Sequence, residues 1–298
     1  MKIIHLSDLH IGKDFKRKNI KKFKIALRHA LSIKFDHLVI TGDLSESAHE
    51  SEFRVIRKIL KDFDLLDSSK VSIVIGNHDI FGGVQIAADV LDFPRKCKSA
   101  DYDVQVSNFI SHFEELFTDC QFASPNKFFP YYKNLGDIGI IGINSIARYS
   151  KIGNPLASTG KVYPEQLDDI RNLISENNIK DQLKIALIHH HLYKKNITAT
   201  SPQNSVWHKI ESYTLRLRNK KKLLNVFKAC GINVVMHGHS HEVKEYNRKG
   251  IYFINAGGSI ENDSDNLFFF LIEYKTEDFN VSLENVPMKM NLIHQPTI

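Results

Sequence analysis

Five short apolar runs in this chain each end on side chains able to hold a metal ion, and no other feature limits the fold as tightly. Ile3 to Leu6 leads into Asp8-Leu9-His10, His37 to Ile40 into Gly42-Asp43, and Val71 to Ile75 into Gly76-Asn77-His78-Asp79. Lys184 to Ile188 leads into His189-His190-His191, and Val234 to Met236 into Gly238-His239-Ser240-His241. Such runs read as buried strands. In α/β folds, sites are built in the loops beyond the carboxyl ends of strands. The pattern predicts one cluster of oxygen and nitrogen ligands at one end of a sheet.

Helical spacing fills the intervals. Phe23, Ala26, Leu27, Ala30 and Leu31 form one stripe, and Phe53, Ile56, Ile59 and Leu60 form another. This alternation predicts βαβ units and a largely parallel sheet. A short helix follows the third strand, and Pro94 is expected to close it. From Arg95 to Pro130 the rhythm breaks into a polar segment, a helix carrying Phe109, Phe113 and Phe117, and a loop with Pro125, Phe128 and Phe129. We expect this stretch to be an insertion or cap within a single domain of residues 1–298. Strands resume at Ile138 to Asn144, a helix begins near Pro164, and a helical stretch covers about Val206 to Ala229. The tail from Ile251 to Leu283 reads as three strands of an antiparallel sheet edge.

Composition narrows the class. At 42% hydrophobic and 25% charged residues, the 298-residue chain reads as an ordinary globular protein. Its longest apolar run, around Phe268 to Ile272, is too short to span a bilayer. No signal peptide is visible, and Cys97, Cys120 and Cys230 form no Cys-x-x-Cys pair. That argues for reduced thiols in a cytoplasmic protein and against a disulfide framework or zinc-thiolate site. The net charge of +6 is concentrated at Lys13 to Lys24 and Arg216 to Lys222. We read these clusters as solvated helix faces, with nucleic acid the less favoured partner.

Asp8 and His10 lie two residues apart, as do His239 and His241, so in extended chain each pair projects to one side. Gly42, Gly76 and Gly238 stand before ligand candidates, where a sharp turn or close backbone approach is needed. Carboxylate, imidazole and amide oxygen together suit Mn, Fe, Zn, Co or Ni and fit calcium poorly. Seven candidates are too many for one first-row ion and right for two, divalent or mixed-valence, sharing a carboxylate. Two ions about 3.5–4 Å apart clamp an in-line displacement at phosphorus and make hydroxide available near neutral pH. No serine or cysteine nucleophile is then required.

These motifs, in this order, resemble those of the calcineurin-like metallophosphoesterase superfamily. The likeness runs from Ile3 to about Ser259 and is weakest at Arg95 to Pro130. Gly238-His239-Ser240-His241 followed by Asn255-Ala256-Gly257-Gly258-Ser259 looks most like the cyclic-nucleotide phosphodiesterase and glycerophosphodiesterase branch, as do Tyr131 to Ser145 and Ser158 to Lys161. The resemblance implies a four-layer αββα sandwich of two mixed sheets flanked by helices. It further implies that Asp8, His10 and His241 hold one metal, that Asn77, His239 and one histidine of the triplet hold the other, and that Asp43 bridges both. His78 would contact the phosphoryl oxygen or leaving group, and Asp79 would orient its ring. Motif mapping gives His189 from the triplet, while strand alternation puts His191 on the same side. Both stay open here.

The activity so implied is hydrolysis of a phosphoric ester by a metal-bridging hydroxide, with a small-molecule phosphodiester as the leading substrate. The alternatives are a DNA nuclease, a hydrolase of lipid-linked nucleotide diphosphates, or a non-catalytic scaffold. Arg148, Tyr149, Tyr193, Lys194 and Lys195, just past the motif strands, are candidates for substrate contact. His5 and His237, inside strands, read as core residues.

Overall fold

The computed structural model describes residues 1–12, 16–84, 89–177, 179, 181–193, 216–262, 266–275 and 278–288. Strand and helix alternate first through β1 (Lys2–Leu6), α1 (Lys18–Ile33), β2 (His37–Thr41), α2 (Glu50–Asp62) and β3 (Val71–Val74). Then come α3 (His78–Phe81), α4 (Asp89–Ser99), α5 (Tyr102–His112), a 3-10 turn (Glu114–Phe117), β4 (Cys120–Ser124), β5 (Lys127–Asn134) and β6 (Ile138–Ile143). The rest is β7 (Gly160–Lys161), α6 (Pro164–Glu176), β8 (Leu183–Ile188), β9 (Leu217–Arg218), α7 (Lys220–Ala229), β10 (Val234–His237), β11 (Val243–Arg248), β12 (Ile251–Ala256), β13 (Leu267–Lys275) and β14 (Asp278–Val286).

Two mixed sheets result. One has the order β14-β13-β1-β2-β3, the other β11-β12-β10-β8-β6-β5-β4. The motif-bearing strands are parallel within each: β1 with β2, β2 with β3, and β8 with β10. Period-2 alternation explains how the layers stack. Ile185, Leu187 and Met236 face inward into a core shared with Ile3, Ile40 and Ile73 of the first sheet. Their neighbours Ala186, Ile188 and Val235 face outward, onto Leu167 and Ile170 of α6 and Leu224 and Phe227 of α7. The first sheet is backed by the apolar stripes of α1 and α2, including Phe23, Leu27, Phe53 and Ile56. Helix, sheet, sheet, helix is the four-layer αββα arrangement.

Residues 95–130 supply part of α4, all of α5, the 3-10 turn, β4 and the start of β5. The two strands lengthen the edge of the second sheet. Phe109 and Phe113 pack edge-on to Phe53 of α2, with ring centroids 5.8 and 5.9 Å away. Losing Phe53 would cost about 3–5 kcal/mol.

Four expectations change. The loop expected at Phe128 and Phe129 is strand, because β5 begins at Lys127 and pairs with β4. Pro94 lies inside α4 instead of closing a helix, because the helix continues past it to Ser99. There the ring removes one intrahelical bond without ending the element. The tail divides between the sheets: β12 runs parallel to β10, while β13 pairs antiparallel with both β1 and β14. Of the helical stretch expected from Val206, only α7 is described, and 206–215 lie outside the described residues. Among those residues no helix is long and apolar enough to cross a membrane.

Candidate metal centre

The carboxyl ends of β1, β2, β3, β8 and β10 converge, and the chain pays for that convergence in backbone strain. Asp8 (φ 56°), His10 (46°), Asp43 (51°), His239 (73°) and His241 (50°) all occupy the left-handed region. Each costs on the order of 1–3 kcal/mol outside glycine and persists only where its surroundings hold it. The loops after β1 and β2 hold one another through Asp8 N to Gly42 O (3.1 Å), His10 N to Asp43 O (3.0 Å) and Ile11 N to Leu44 O (2.9 Å). The buried Asn19 amide of α1 donates to the carbonyls of Leu9 and His10. The turn after β10 donates His239 N to the Asp8 carboxylate at 3.1–3.2 Å. Gly76 and Gly238 allow close approach: a Cβ would lie 2.1 Å from Asp43 N at the first and 1.8 Å from Ser7 Oγ at the second.

Two nests of polar atoms follow. In the first, His10 Nε2 lies 3.3 Å from His241 Nε2, which is 3.9 Å from Asp8 Oδ1. In the second, His189 Nε2 lies 3.1 Å from both Asn77 Oδ1 and His239 Nδ1. Asp43 Oδ2 reaches both, 3.8 Å from His10 Nε2 and 3.3 Å from His189 Nε2. Asp8, His10 and His241, and likewise Asp43, His189 and His239, bring their ligand atoms within 4.8 Å of one another.

The donor inventory tests whether these nests suit a cation. His10 Nδ1 faces Glu46 Oε2 at 2.8 Å and His189 Nδ1 faces the Thr41 carbonyl at 2.8 Å. Both oxygens accept, so both Nδ1 atoms donate, and each neutral ring presents a lone pair at Nε2. Those lone pairs point at an amide oxygen, a carboxylate oxygen and other ring nitrogens. Acceptors facing acceptors in a buried space need a positive charge between them. The residues fit two metal ions.

Titration follows the same logic. Burial disfavours a charged His189, yet Asp43 outweighs it and raises the pKa to about 9. His10 is raised too, the Glu46 hydrogen bond and the Asp43 charge overcoming burial. Burial would raise the Asp43 pKa, but His189 and His78 hold it well below the usual range. Burial keeps His239 and His241 low, hence neutral, with a lone pair to give. His239 Nε2 is buried without a hydrogen-bond partner among the described residues.

All seven predicted ligands therefore come together. Within the triplet the nest contains His189. His190 turns to Ser145 Oγ (2.8 Å) and Ser158 O (3.2 Å), and His191 lies against the Tyr193 ring, centroids 4.7 Å apart. The alternation argument that kept His191 open does not reach it, because β8 ends at Ile188.

His78 stands at the rim, its main-chain N donating to Asp43 Oδ1 at 2.8 Å and its Nδ1 to the Glu46 carbonyl at 3.1 Å. Asp79, expected to orient that ring, does something else. Its carboxylate accepts Leu44 N, Ser45 N, Ser45 Oγ and Gly76 N at 2.8–3.2 Å, tying the loop after β2 to the loop after β3. The two residues are neighbours in a helix, where successive side chains point about 100° apart. The partner of the His78 ring is Glu46, which the sequence reading missed. Its one available signal was a second carboxylate three residues after Asp43.

Of the substrate-contact candidates, Arg148 pairs with Asp103 (2.6 Å) and covers the Tyr102 ring. The Tyr193 hydroxyl is engaged by Ser240 (2.8 Å) and Glu242 (2.5 Å). Tyr149 packs partly buried against the core. Lys194 and Lys195 lie outside the described residues, as does Lys13. The first basic cluster is not wholly a solvated face: Lys22 is buried, and Lys16 binds two carboxylates.

Comparison with known proteins agrees with this geometry. The family model described as calcineurin-like phosphoesterase matches residues 1–243. A protein of Vesicomyosocius okutanii subsp. Calyptogena okutanii (strain HA), named "Probable cyclic nucleotide phosphodiesterase", is 25% identical over 262 residues, 85% of this chain and 84% of its own. Among solved structures, a dimetal phosphatase from Danio rerio superposes with a TM-score of 0.60 at 11% identity, over 97% of this chain and 99% of that one. The purple acid phosphatase PPD1 from yellow lupin (Lupinus luteus) gives 0.58 at 12% identity, over 96% of this chain and 51% of its own. At those identities the structural likeness concerns the fold alone.

Proposed function

This chain belongs to the calcineurin-like phosphoesterase family, and from that premise we propose that it hydrolyses a small-molecule phosphodiester with the help of two metal ions. The observation that carries the reading is the pair of acceptor nests joined by Asp43. Asp8, His10 and His241 would hold one ion, Asn77, His189 and His239 the other, with Asp43 shared. Bound there, ions such as Mn, Fe, Zn, Co or Ni would supply Lewis acidity toward phosphoryl oxygens and a lowered pKa for water.

His78 acts at the rim. Burial lowers its pKa, with Asp43 pulling the other way, so the ring is neutral near pH 7. With Nδ1 donating to the Glu46 carbonyl, Nε2 carries the lone pair. That atom suits an acceptor role, taking a hydrogen bond or a proton from water or from a substrate hydroxyl. The main-chain bond from His78 to Asp43 fixes the ring's distance from the shared carboxylate.

For the substrate class, the relative named as a probable cyclic nucleotide phosphodiesterase supports a cyclic nucleotide over nucleic acid, and the motif resemblance keeps a glycerophosphodiester beside it. The test is a panel of cyclic nucleotides, glycerophosphodiesters, chromogenic diesters, and single- and double-stranded DNA, each with chelator-treated protein and added manganese. We expect manganese-dependent turnover of the small diesters well above that of DNA. No turnover with any first-row metal would sink the hydrolase reading, and a preference for DNA would overturn the substrate class.

A further inference from the structure

Glu46 belongs to neither nest, yet it touches the machinery of one nest and the rim. It is 1% exposed. Its Oε2 lies 2.8 Å from His10 Nδ1, 3.0 Å from Lys16 Nζ and 3.7 Å from His78 Nδ1. The same residue's carbonyl accepts from His78 Nδ1 at 3.1 Å and from Gly83 N at 2.9 Å. A Cβ at Gly83 would come within 2.3 Å of His78 Cε1, so the ring is wedged between Glu46 and bare backbone. Lys16 spans onward to Glu261 Oε1 at 3.2 Å, and Glu261 Oε2 accepts from Asn19 at 2.7 Å. Asn19 in turn holds the carbonyls of Leu9 and His10.

We propose that Glu46 is a positioning residue, which fixes the His10 tautomer so that Nε2 presents its lone pair to the first nest, and that Lys16 is its counter-ion. The proposal rests on the two-metal reading above. A neutral imidazole can carry its proton on either nitrogen, and a carboxylate, which only accepts, selects the Nδ1–H form. An anion behind the ring also makes Nε2 a stronger donor to metal. His189 has only the neutral Thr41 carbonyl in the equivalent place. Without Lys16, Glu46 would lose the cation that compensates its buried charge. Through Glu261 and Asn19 the same lysine ties the loops after β1, β2 and β12 together.

Glu46→Gln tests this with little change of shape, because the amide can turn its NH2 group toward His10 and remove the tautomer preference. The measurements are calorimetric titration of Zn²⁺ into chelator-stripped protein, and long-range proton–nitrogen NMR of the histidine-labelled, zinc-free protein at alkaline pH, where the ring is neutral. Wild type should bind two equivalents and show His10 with its proton on Nδ1. Glu46→Gln should leave one equivalent unchanged, weaken the other by about 10–100-fold, and lose the His10 Nδ1–H signature. Two equivalents at wild-type affinity with that signature intact would overturn the proposal. Wild type that binds no zinc would instead overturn the two-metal reading on which it stands. Should Glu46→Gln not fold, Lys16→Met carries the prediction: the same equivalent weakens several-fold, and unchanged affinity refutes the role of Lys16 and Glu46.

Discussion

Both ends of the sheets bury ionisable groups, but only one end matches donors to acceptors. At the amino end, Lys133 of β5 donates to the carbonyls of Ser68, Val71 and Leu116 at 2.8, 2.7 and 2.9 Å. Nearby, the buried His37 lies between the Ser69 carbonyl (2.8 Å) and Ser72 Oγ (2.9 Å). Three ammonium protons meet three oxygens, and both imidazole nitrogens have partners. At the carboxyl end, ring nitrogens crowd carboxylate and amide oxygens, and without a metal the positive charge between them must come from a proton that Asp43 draws onto His189. Burial alone therefore says little about function. What marks a site is burial that the protein's own groups leave electrostatically unfinished.

The comparison can be broken most directly at Asp43. Asp43→Ala should reduce the initial rate on a chromogenic diester with manganese by at least ~10³-fold, about 4 kcal/mol of barrier. Lys133→Met should stay within about twofold. Equal losses would erase the distinction between the ends. His78→Ala comes next: turnover should fall by about 10²-fold while elemental analysis finds the metal content unchanged. An emptied centre would move His78 into the ligand set.

At the amino end the loss should appear in stability. Lys133→Met leaves buried carbonyls without a donor and should cost about 1–3 kcal/mol, read from the denaturant midpoint. The smallest effects are two pH slopes of opposite sign, each about 1.4 kcal/mol per unit at most. In metal-free protein, Asp43 overcomes burial and raises the His189 pKa from the ordinary 6.5 to about 9. Its contribution is complete below pH 6.5 and is lost as pH rises through 9, because only the folded form keeps the proton. Burial lowers Lys133 from 10.5 to about 8. Between those values the unfolded chain holds more protons, so stability grows with pH. Chemical denaturation across pH should show the first slope vanish when zinc is added, and the second vanish only in Lys133→Met.

The sequence revealed what depends on local pattern. The five motif strands were visible as apolar runs whose ends fall within a residue or two of β1, β2, β3, β8 and β10. The seven candidate ligands stood out because each follows such a run. What escaped depends on contacts distant along the chain. Glu46 meets His10 across 36 residues, and no periodicity announces such a pairing. Asp79 misled through adjacency, since next to His78 in sequence is not beside its ring in space. The tail could not be divided from its alternation alone, because β12 and β13 carry the same apolar character while pairing in different sheets.

The left-handed backbone at Asp8, His10, Asp43, His239 and His241 bears on how this protein would evolve in the laboratory. Glycine at any of these positions relaxes the main chain but deletes the donor that justified the strain. Selection for heat resistance without selection for turnover should therefore accumulate substitutions at these five codons early, trading chemistry for rigidity. Selection that retains turnover has to find its gains elsewhere, in the helices and the outer strands.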